Sequence, residues 1–158
     1  MFNYRLTVVD KLVKDYLANV GKRMREPEKA LRECGLVLLR SIAKNFEKGG
    51  RPVKWVPSLR ATSSKGQTLV ATARLKNSIT MEVAGNRLTV GTNLKYAAIQ
   101  QLGGIITPKT AKVLLANIPG VGYRAMKKVE IPARPYLVVQ DEDENTFKRI
   151  IADYTVNG

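Results

Sequence analysis

The sequence predicts an α+β fold, in which an N-terminal helical pair packs on an antiparallel β-sheet of hairpins, with a C-terminal helix closing the chain. Three observations support that class. Apolar residues recur at helical spacing through much of the first fifty residues, two alternating runs flank a Gly-Asn pair in mid-chain, and the last amphipathic run begins with four acidic residues.

Within residues 7–20, TVVDKLVKDYLANV, the side chains of Val9, Leu12, Val13, Tyr16, Leu17 and Val20 share a helical face, and Gly21 follows as a stop. A second helix is expected from about Pro27, whose missing N–H loses nothing in a first turn. Leu31, Cys34, Leu38, Ile42 and Phe46 form its apolar stripe, and Lys-Gly-Gly at 48–50 ends it. The two segments read as an antiparallel helical pair. Residues 51–68, RPVKWVPSLRATSSKGQT, are rich in Pro, Ser, Thr and Gly and read as a long loop. Its tryptophan, Trp55, either pins that loop to the core or faces a partner as an anchor. The run LVATARLKNSI, 69–79, fits a short helix.

In SITMEVAGNRLTVGT, Ile79, Met81 and Val83 share one strand face, and Leu88 and Val90 share a face of the next strand. The Gly85-Asn86 pair between them tolerates the positive φ angles of a tight primed turn, which is the physical basis for a hairpin. Its apolar face must be covered, and the second helix is the natural cover. A short helix is expected through Leu94, Ala97, Ala98, Ile99 and Leu102, with Gly103 as a left-handed C-cap. A second hairpin follows, with arms over about 112–118 and 125–131 and PGVG at the turn. The segment IPARPYL, 131–137, carries two prolines and reads as extended. The last helix runs from about Asp141 to Tyr154. Asp141, Glu142, Asp143 and Glu144 complement its dipole, and Phe147, Ile150, Ile151 and Tyr154 form its stripe. The result is one domain spanning 1–158, with helices over 1–50, a loop-rich connector over 51–78, hairpins over 79–137 and an acidic helix over 138–158.

Composition narrows the function. A chain of 158 residues with 44% hydrophobic and 25% charged residues is globular in type. Its longest aliphatic runs, such as LVLL at 36–39, fall far short of the ~20 residues of a membrane span, so the chain is expected to stay in the cytoplasm where it is made. There is no histidine and one cysteine, Cys34. The commonest general base and the usual zinc ligand sets are therefore missing, and Cys34, among apolar neighbours, reads as packing rather than as a reactive thiol. No enzyme, no cofactor, no metal and no small-molecule substrate is expected. The net charge is +14, unevenly spread: residues 57–137 hold 12 basic and 2 acidic groups, whereas 138–158 hold 2 basic and 5 acidic. Such a field favours a polyanion, an acidic protein surface or the chain's own acidic tail. Lys109, Lys112, Arg124, Lys127 and Lys128 cluster on the second hairpin. They form either a solvated edge that discourages strand aggregation or a contact for an acidic partner or DNA.

The stretch KYAAIQQLGGIITPK, 95–109, resembles a phosphate loop at first sight. Its glycines, however, follow a helix instead of preceding one, at the carbonyl end that repels anions. Its glutamines have no titratable group. It is a corner.

Three motifs, YAAIQQLGG at 96–104, ITPKTAK at 106–112 and IPARPYL at 131–137, resemble in order and spacing the signatures of the phage virion morphogenesis family, the tail-completion proteins of tailed phages and prophages. The long helix, KWVPSL at 54–59 and LVATARLKNSI agree with it too, so the likeness covers roughly residues 30–152. The chain departs from the family pattern at Gln100, where histidine is usual, near Leu102, where the family usually has an aromatic residue, and at Ala73, where glycine is frequent. Glutamine at position 100 speaks against a catalytic base there. The resemblance implies a non-enzymatic virion protein, found in the host cytoplasm during assembly and then in the tail or neck region. It implies a homo-oligomeric ring, such as a hexamer, that meets the tail tube and head-connector proteins near packaged DNA, with no membrane involved. An assembly interface is then expected at Trp55, Tyr96, Gln100, Gln101, Arg134 and Tyr136, with the acidic tail of one subunit meeting the basic middle of the next. The alternative is a non-specific nucleic-acid-binding protein using the hairpin 109–128, where Tyr123 and the more distant Tyr136 are the only rings for stacking.

Overall fold

A computed structural model describes residues 11–118 and 121–157; Val9 and half of the expected PGVG turn lie outside them. The first helix, α1 (Lys11–Arg25), runs past Gly21, and Lys22, Arg23 and Arg25 in its last turn suit the negative end of the helix dipole. The second, α2 (Glu28–Lys48), carries the expected stripe, with Cys34, Ile42 and Phe46 buried. Gly49 closes it at φ 66°, and the N–H groups of Gly49 and Gly50 reach Phe46 O (3.2 Å) and Asn45 O (2.8 Å), the paired bonds of a Schellman end.

The connector holds two short helices, α3 (Leu59–Ser63), capped by Ser58 Oγ accepting from the Ala61 N–H, and α4 (Arg74–Asn77). The helix expected over 69–79 is thus only four residues long. Leu69 and Ala73 both hold positive φ (64° and 53°), which breaks helical geometry ahead of Arg74. The hairpin of β1 (Thr80–Ala84) and β2 (Arg87–Gly91) forms about Gly85-Asn86, with Ala84 facing Arg87. Only Gly85 uses a positive φ, 56°.

Next come α5 (Ala97–Leu102), β3 (Gly104–Ile106), β4 (Leu114–Ile118), β5 (Gly122–Met126), β6 (Val129–Ile131) and α6 (Asp141–Asn157). The second hairpin is offset from its expected register. Its inner strands are β4 and β5, with Ala116 facing Arg124, whereas residues 129–131 turn back to pair with β3, Ile105 facing Glu130. Residues 104–131 therefore make a two-stranded arm in two separate pairs, bent at the interruption so that Ile118, at the turn end of β4, lines one groove together with Val129 and Glu130. The interruption falls at 107–113, where Pro108 cannot donate to a ladder. Among the described residues the sheet content is three separate antiparallel pairs.

The helical pair also differs from expectation. It is α6, not α1, that lies along α2, and α1 in turn packs on α6. Polar contacts explain the choice: Arg23 Nη1 donates to Val156 O (2.9 Å) and Thr155 O (3.2 Å) at the end of α6, and Tyr154 Oη donates to Glu26 O (2.7 Å). The apolar core lies between α2, the β1–β2 hairpin, the connector and residues 136–137. Ile42, Phe46, Trp55, Leu75, Ala97 and Tyr136 form its buried centre. Phe46 meets Trp55 edge-on at 5.6 Å and Tyr136 at 5.4 Å between ring centroids, both within the range of favourable aromatic pairs. Cys34 is buried, and that burial, with Glu33 nearby, pushes its thiol above the usual value, as an inert packing residue requires.

Two backbone positions give tests. Gly35 on α2 lets the β1–β2 hairpin approach: a Cβ there would crowd Met81 Sδ and stand 3.0 Å from Leu88 Cδ1. Gly35→Leu is expected to lower unfolding free energy in urea by about 2–3 kcal/mol, the cost of overpacking a tight helix–strand contact. Ala73 sits in the left-handed region, which its Cβ disfavours. Ala73→Gly is expected to raise the urea midpoint, with a gain of about 0.5–1 kcal/mol after the extra unfolded-state entropy of glycine is counted.

Candidate assembly surface

The motifs that mark this chain lie together in space. Residues 132–137 run beside α5, and proline at 132 and 135 keeps them from continuing the β6 ladder. Side chains supply the missing partners. Gln101 Oε1 accepts from the N–H groups of Tyr136 (2.9 Å) and Leu137 (3.0 Å), and its Nε2 donates to Leu137 O (3.3 Å). Gln100 accepts the Arg134 N–H on its carbonyl (2.8 Å) and Arg134 Nη1 on its Oε1 (3.1 Å). Asn45 donates to Tyr136 O (3.0 Å), Trp55 Nε1 to Pro135 O (3.0 Å), and Tyr136 Oη to Ala97 O (3.2 Å). Gly103 has φ 73° with extended ψ, not a left-handed cap. It is needed because a Cβ there would meet Ala133 N at 2.7 Å.

This arrangement divides the expected interface residues. Trp55 (7% exposed), Arg134 (5%) and Tyr136 (1%) face inward, because the two rings pack on Phe46 and the guanidinium is bound by backbone and Gln100. They build the surface from beneath instead of presenting themselves on it. Burial also pushes the Tyr136 phenol up and the Arg134 guanidinium down from their ordinary values. Tyr96 is the exposed member of the set, and Gln100 and Gln101 are half-buried. Beside Tyr96 and Gln100 opens a groove of about 630 Å³ between the connector, β6 and the turn end of the β4–β5 hairpin, lined by Val56, Leu59, Arg60 and Arg74 and by Ile118 and Glu130.

Lys109, Lys112, Arg124, Lys127 and Lys128 all lie exposed on the arm or its interruption, and none makes a hydrogen bond or ion pair among the described residues. Leu115 and Tyr123, on adjoining strands, are 69% and 73% exposed. The acidic start of α6 is only in part available, since Asp143 is buried, accepting from Ser41 Oγ (2.6 Å) and the Gln140 N–H (2.9 Å), and Glu142 pairs with Arg51 (2.6 Å).

Arg60 directly follows KWVPSL and Arg74 lies within LVATARLKNSI, but neither arginine carries a charge pattern that marks it, and sequence reasoning passes over both. Asn45 and Ser41 are also missed, although two polar residues four apart beside an apolar stripe are a readable sign of a buried polar network. Among the described residues no cluster could hold a metal ion, and no helix is long and apolar enough to cross a membrane.

A fold of this kind has a Pro-rich segment, held by paired glutamines with Arg134 and Tyr136 buried, beside a cationic two-stranded arm. The phage virion morphogenesis family matches residues 8–155, and the chain belongs to that family of structural proteins that act in virion assembly. It is similar to Mu-like prophage FluMu G protein 2 of Haemophilus influenzae, with 40% identity over 114 residues, 72% of this chain and 67% of that protein. No solved structure matches.

Removing Gln101 should test the lock. Gln101→Ala leaves two backbone N–H groups without their acceptor, and a loss of about 2–4 kcal/mol in unfolding free energy is expected. Equilibrium urea unfolding followed by Trp55 fluorescence reports it directly, and an unchanged midpoint would show that water replaces the side chain freely.

Proposed function

We propose that this protein completes the phage tail and joins it to the head, working as an oligomeric ring that caps the tail tube. The observation that most supports this reading is the arm at 104–131. Two strands with exposed faces are marginally stable alone in water, so an arm of this kind suits a surface completed by a neighbour. Family membership supplies the setting, virion assembly. The protein acts in the host cytoplasm during assembly and then in the neck of the particle, touching tail-tube and head-connector proteins. No catalysis is invoked: Gln100, at the position where the resemblance leads one to expect histidine, spends its side-chain carbonyl on Arg134.

A second reading, non-specific nucleic-acid binding, is supported by the five unpaired cations of the arm. In that case affinity for a DNA duplex should fall with a log–log salt slope of about −4, near −0.9 per phosphate neutralised, and Lys127→Ala with Lys128→Ala should flatten it by roughly 2.

Electron microscopy of particles from the parent phage or prophage lacking this gene decides the first reading. Full heads beside unattached or wrong-length tails are expected. Normal infectious particles would refute it.

A further inference from the structure

The groove between the connector and β6 contains a buried charge that forms no ion pair among the described residues. Arg134 is bound by Val56 O (Nε, 2.9 Å) and Gln100 Oε1 (Nη1, 3.1 Å), both neutral acceptors. The ion pairs found among the described residues join Arg51 to Glu142 and Lys76 to Glu47; neither involves it. Desolvation is the sole cause lowering its guanidinium below the ordinary arginine value, and no carboxylate raises it back. A desolvated cation held by neutral groups is costly, and a carboxylate arriving from outside offsets that cost with a charge-assisted bond. Arg60 and Arg74 line the same groove, against one acid, Glu130. Val56 and Leu59, 57% and 70% exposed, give it an apolar lip.

The acidic counterpart is on the same chain but not in the same place. Asp141 and Glu144 stand exposed on the first turn of α6, and neither pairs with a basic group among the described residues. Asp143, bonded to Ser41 and the Gln140 N–H, holds that turn rigidly against α2. No residue of α6 lines the groove of its own chain. The two features complement each other in charge and remain apart within one molecule, which is the arrangement that favours contact between copies.

We propose that the groove lined by Arg60, Arg74 and Arg134 docks the acidic first turn of α6, Asp141 and Glu144, of a second copy of this chain. The contact is heterologous: groove on one subunit, helix start on the next. Repeated around an axis it closes a ring. The inference rests on the oligomeric reading above and supplies its interface.

Sedimentation velocity on the full-length protein tests it, with Arg74→Glu, with the pair Asp141→Lys and Glu144→Lys, and with all three together. These three sites are exposed, so Arg74→Glu should keep the wild-type far-UV circular dichroism and melting temperature, whereas the α6 pair, which places cations at the positive end of a helix, should keep the circular dichroism and lower the melting temperature slightly. Each reversal is expected to weaken assembly by about tenfold or more in Kd, and the combination to regain most of that loss, as a directly coupled charge pair does. If the variants assemble like the wild type, or the combination fails to recover, this contact is overturned while the ring itself stands. If Arg74→Glu weakens assembly and the α6 reversal does not, the groove takes a different acidic segment, and the assignment of α6 is wrong. A wild-type chain that stays monomeric at every concentration and salt refutes both the contact and the oligomeric reading.

Discussion

Proline removes the donor that a strand or helix ladder needs, and residues 132 and 135 are both proline in a segment that lies along the edge of the core and buries Arg134 and Tyr136. The rest of the structure depends on how the backbone around them is satisfied. From Arg134 to Leu137 each available N–H is met, by the Gln100 carbonyl or by Gln101 Oε1. The carbonyls of 135, 136 and 137 are met by Trp55, Asn45 and Gln101. Those donors and acceptors come from α2, the connector and α5, so one short extended segment joins three regions of the chain that share no regular ladder with it. The aromatic packing of Phe46, Trp55 and Tyr136 then excludes water, which makes each of these bonds costly to lose.

A second set of polar contacts fixes the last helix to the same spine. Arg51 donates through Nε to Asn45 Oδ1 (2.9 Å), through Nη2 to Ser41 O and Oγ (2.9 and 2.7 Å), and through Nη1 to Glu142. Ser41 in turn donates to Asp143, and Gln140 Nε2 donates to Arg51 O (3.2 Å). One guanidinium thus binds α2 and the start of α6 together, using the fixed fork that only arginine offers. The bond from Arg51 holds the Glu142 carboxyl below the usual glutamate value. A lowered carboxyl contributes stability above its unfolded pKa and loses it as pH falls through the folded one. Glu142 is solvent-exposed, so that contribution is small, and the buried Ser41–Asp143 bond is the stronger half of the joint.

Much of the secondary structure was legible because local chemistry agreed with the global fold. The stripe of α2, the Gly85-Asn86 hairpin and the acidic start of α6 each carry their own period or turn residue. Three features were not legible, and the reasons differ. The partner of α1 is α6 because of Arg23 and Tyr154, whose acceptors are backbone carbonyls more than a hundred residues away in sequence. The offset of the second hairpin turns on whether Val129 continues one strand or returns to the strand that begins at Gly104, and both choices satisfy the same alternation. Trp55 and Tyr136 read equally well as core or as interface, since an aromatic ring with a polar handle suits either place; only the positions of Phe46 and Pro135 assign them inward. The fold class survives all three because it rests on the periods, not on the pairings.

The motifs that resemble the virion family are, in this structure, largely the internal lock: paired glutamines, the glycine that lets Ala133 approach, and the prolines they hold. Membership in the family therefore reports how the body is built more than what its surface meets. The exposed cations Arg74, Lys127 and Lys128 stand outside the glutamine and proline motifs and make no hydrogen bond or ion pair among the described residues, whereas Arg60 is half-buried and donates to Gln67 O (2.6 Å). Structural fit and partner choice are thus carried by different residues, and the second can change without endangering the first. Arg134 is the exception. Its backbone N–H, Nε and Nη1 belong to the lock, while the same guanidinium lines the groove without an ion-pair partner among the described residues. A residue placed in both roles ties the interior to the surface: whatever anion enters the groove also stabilises the segment on which the core is hung.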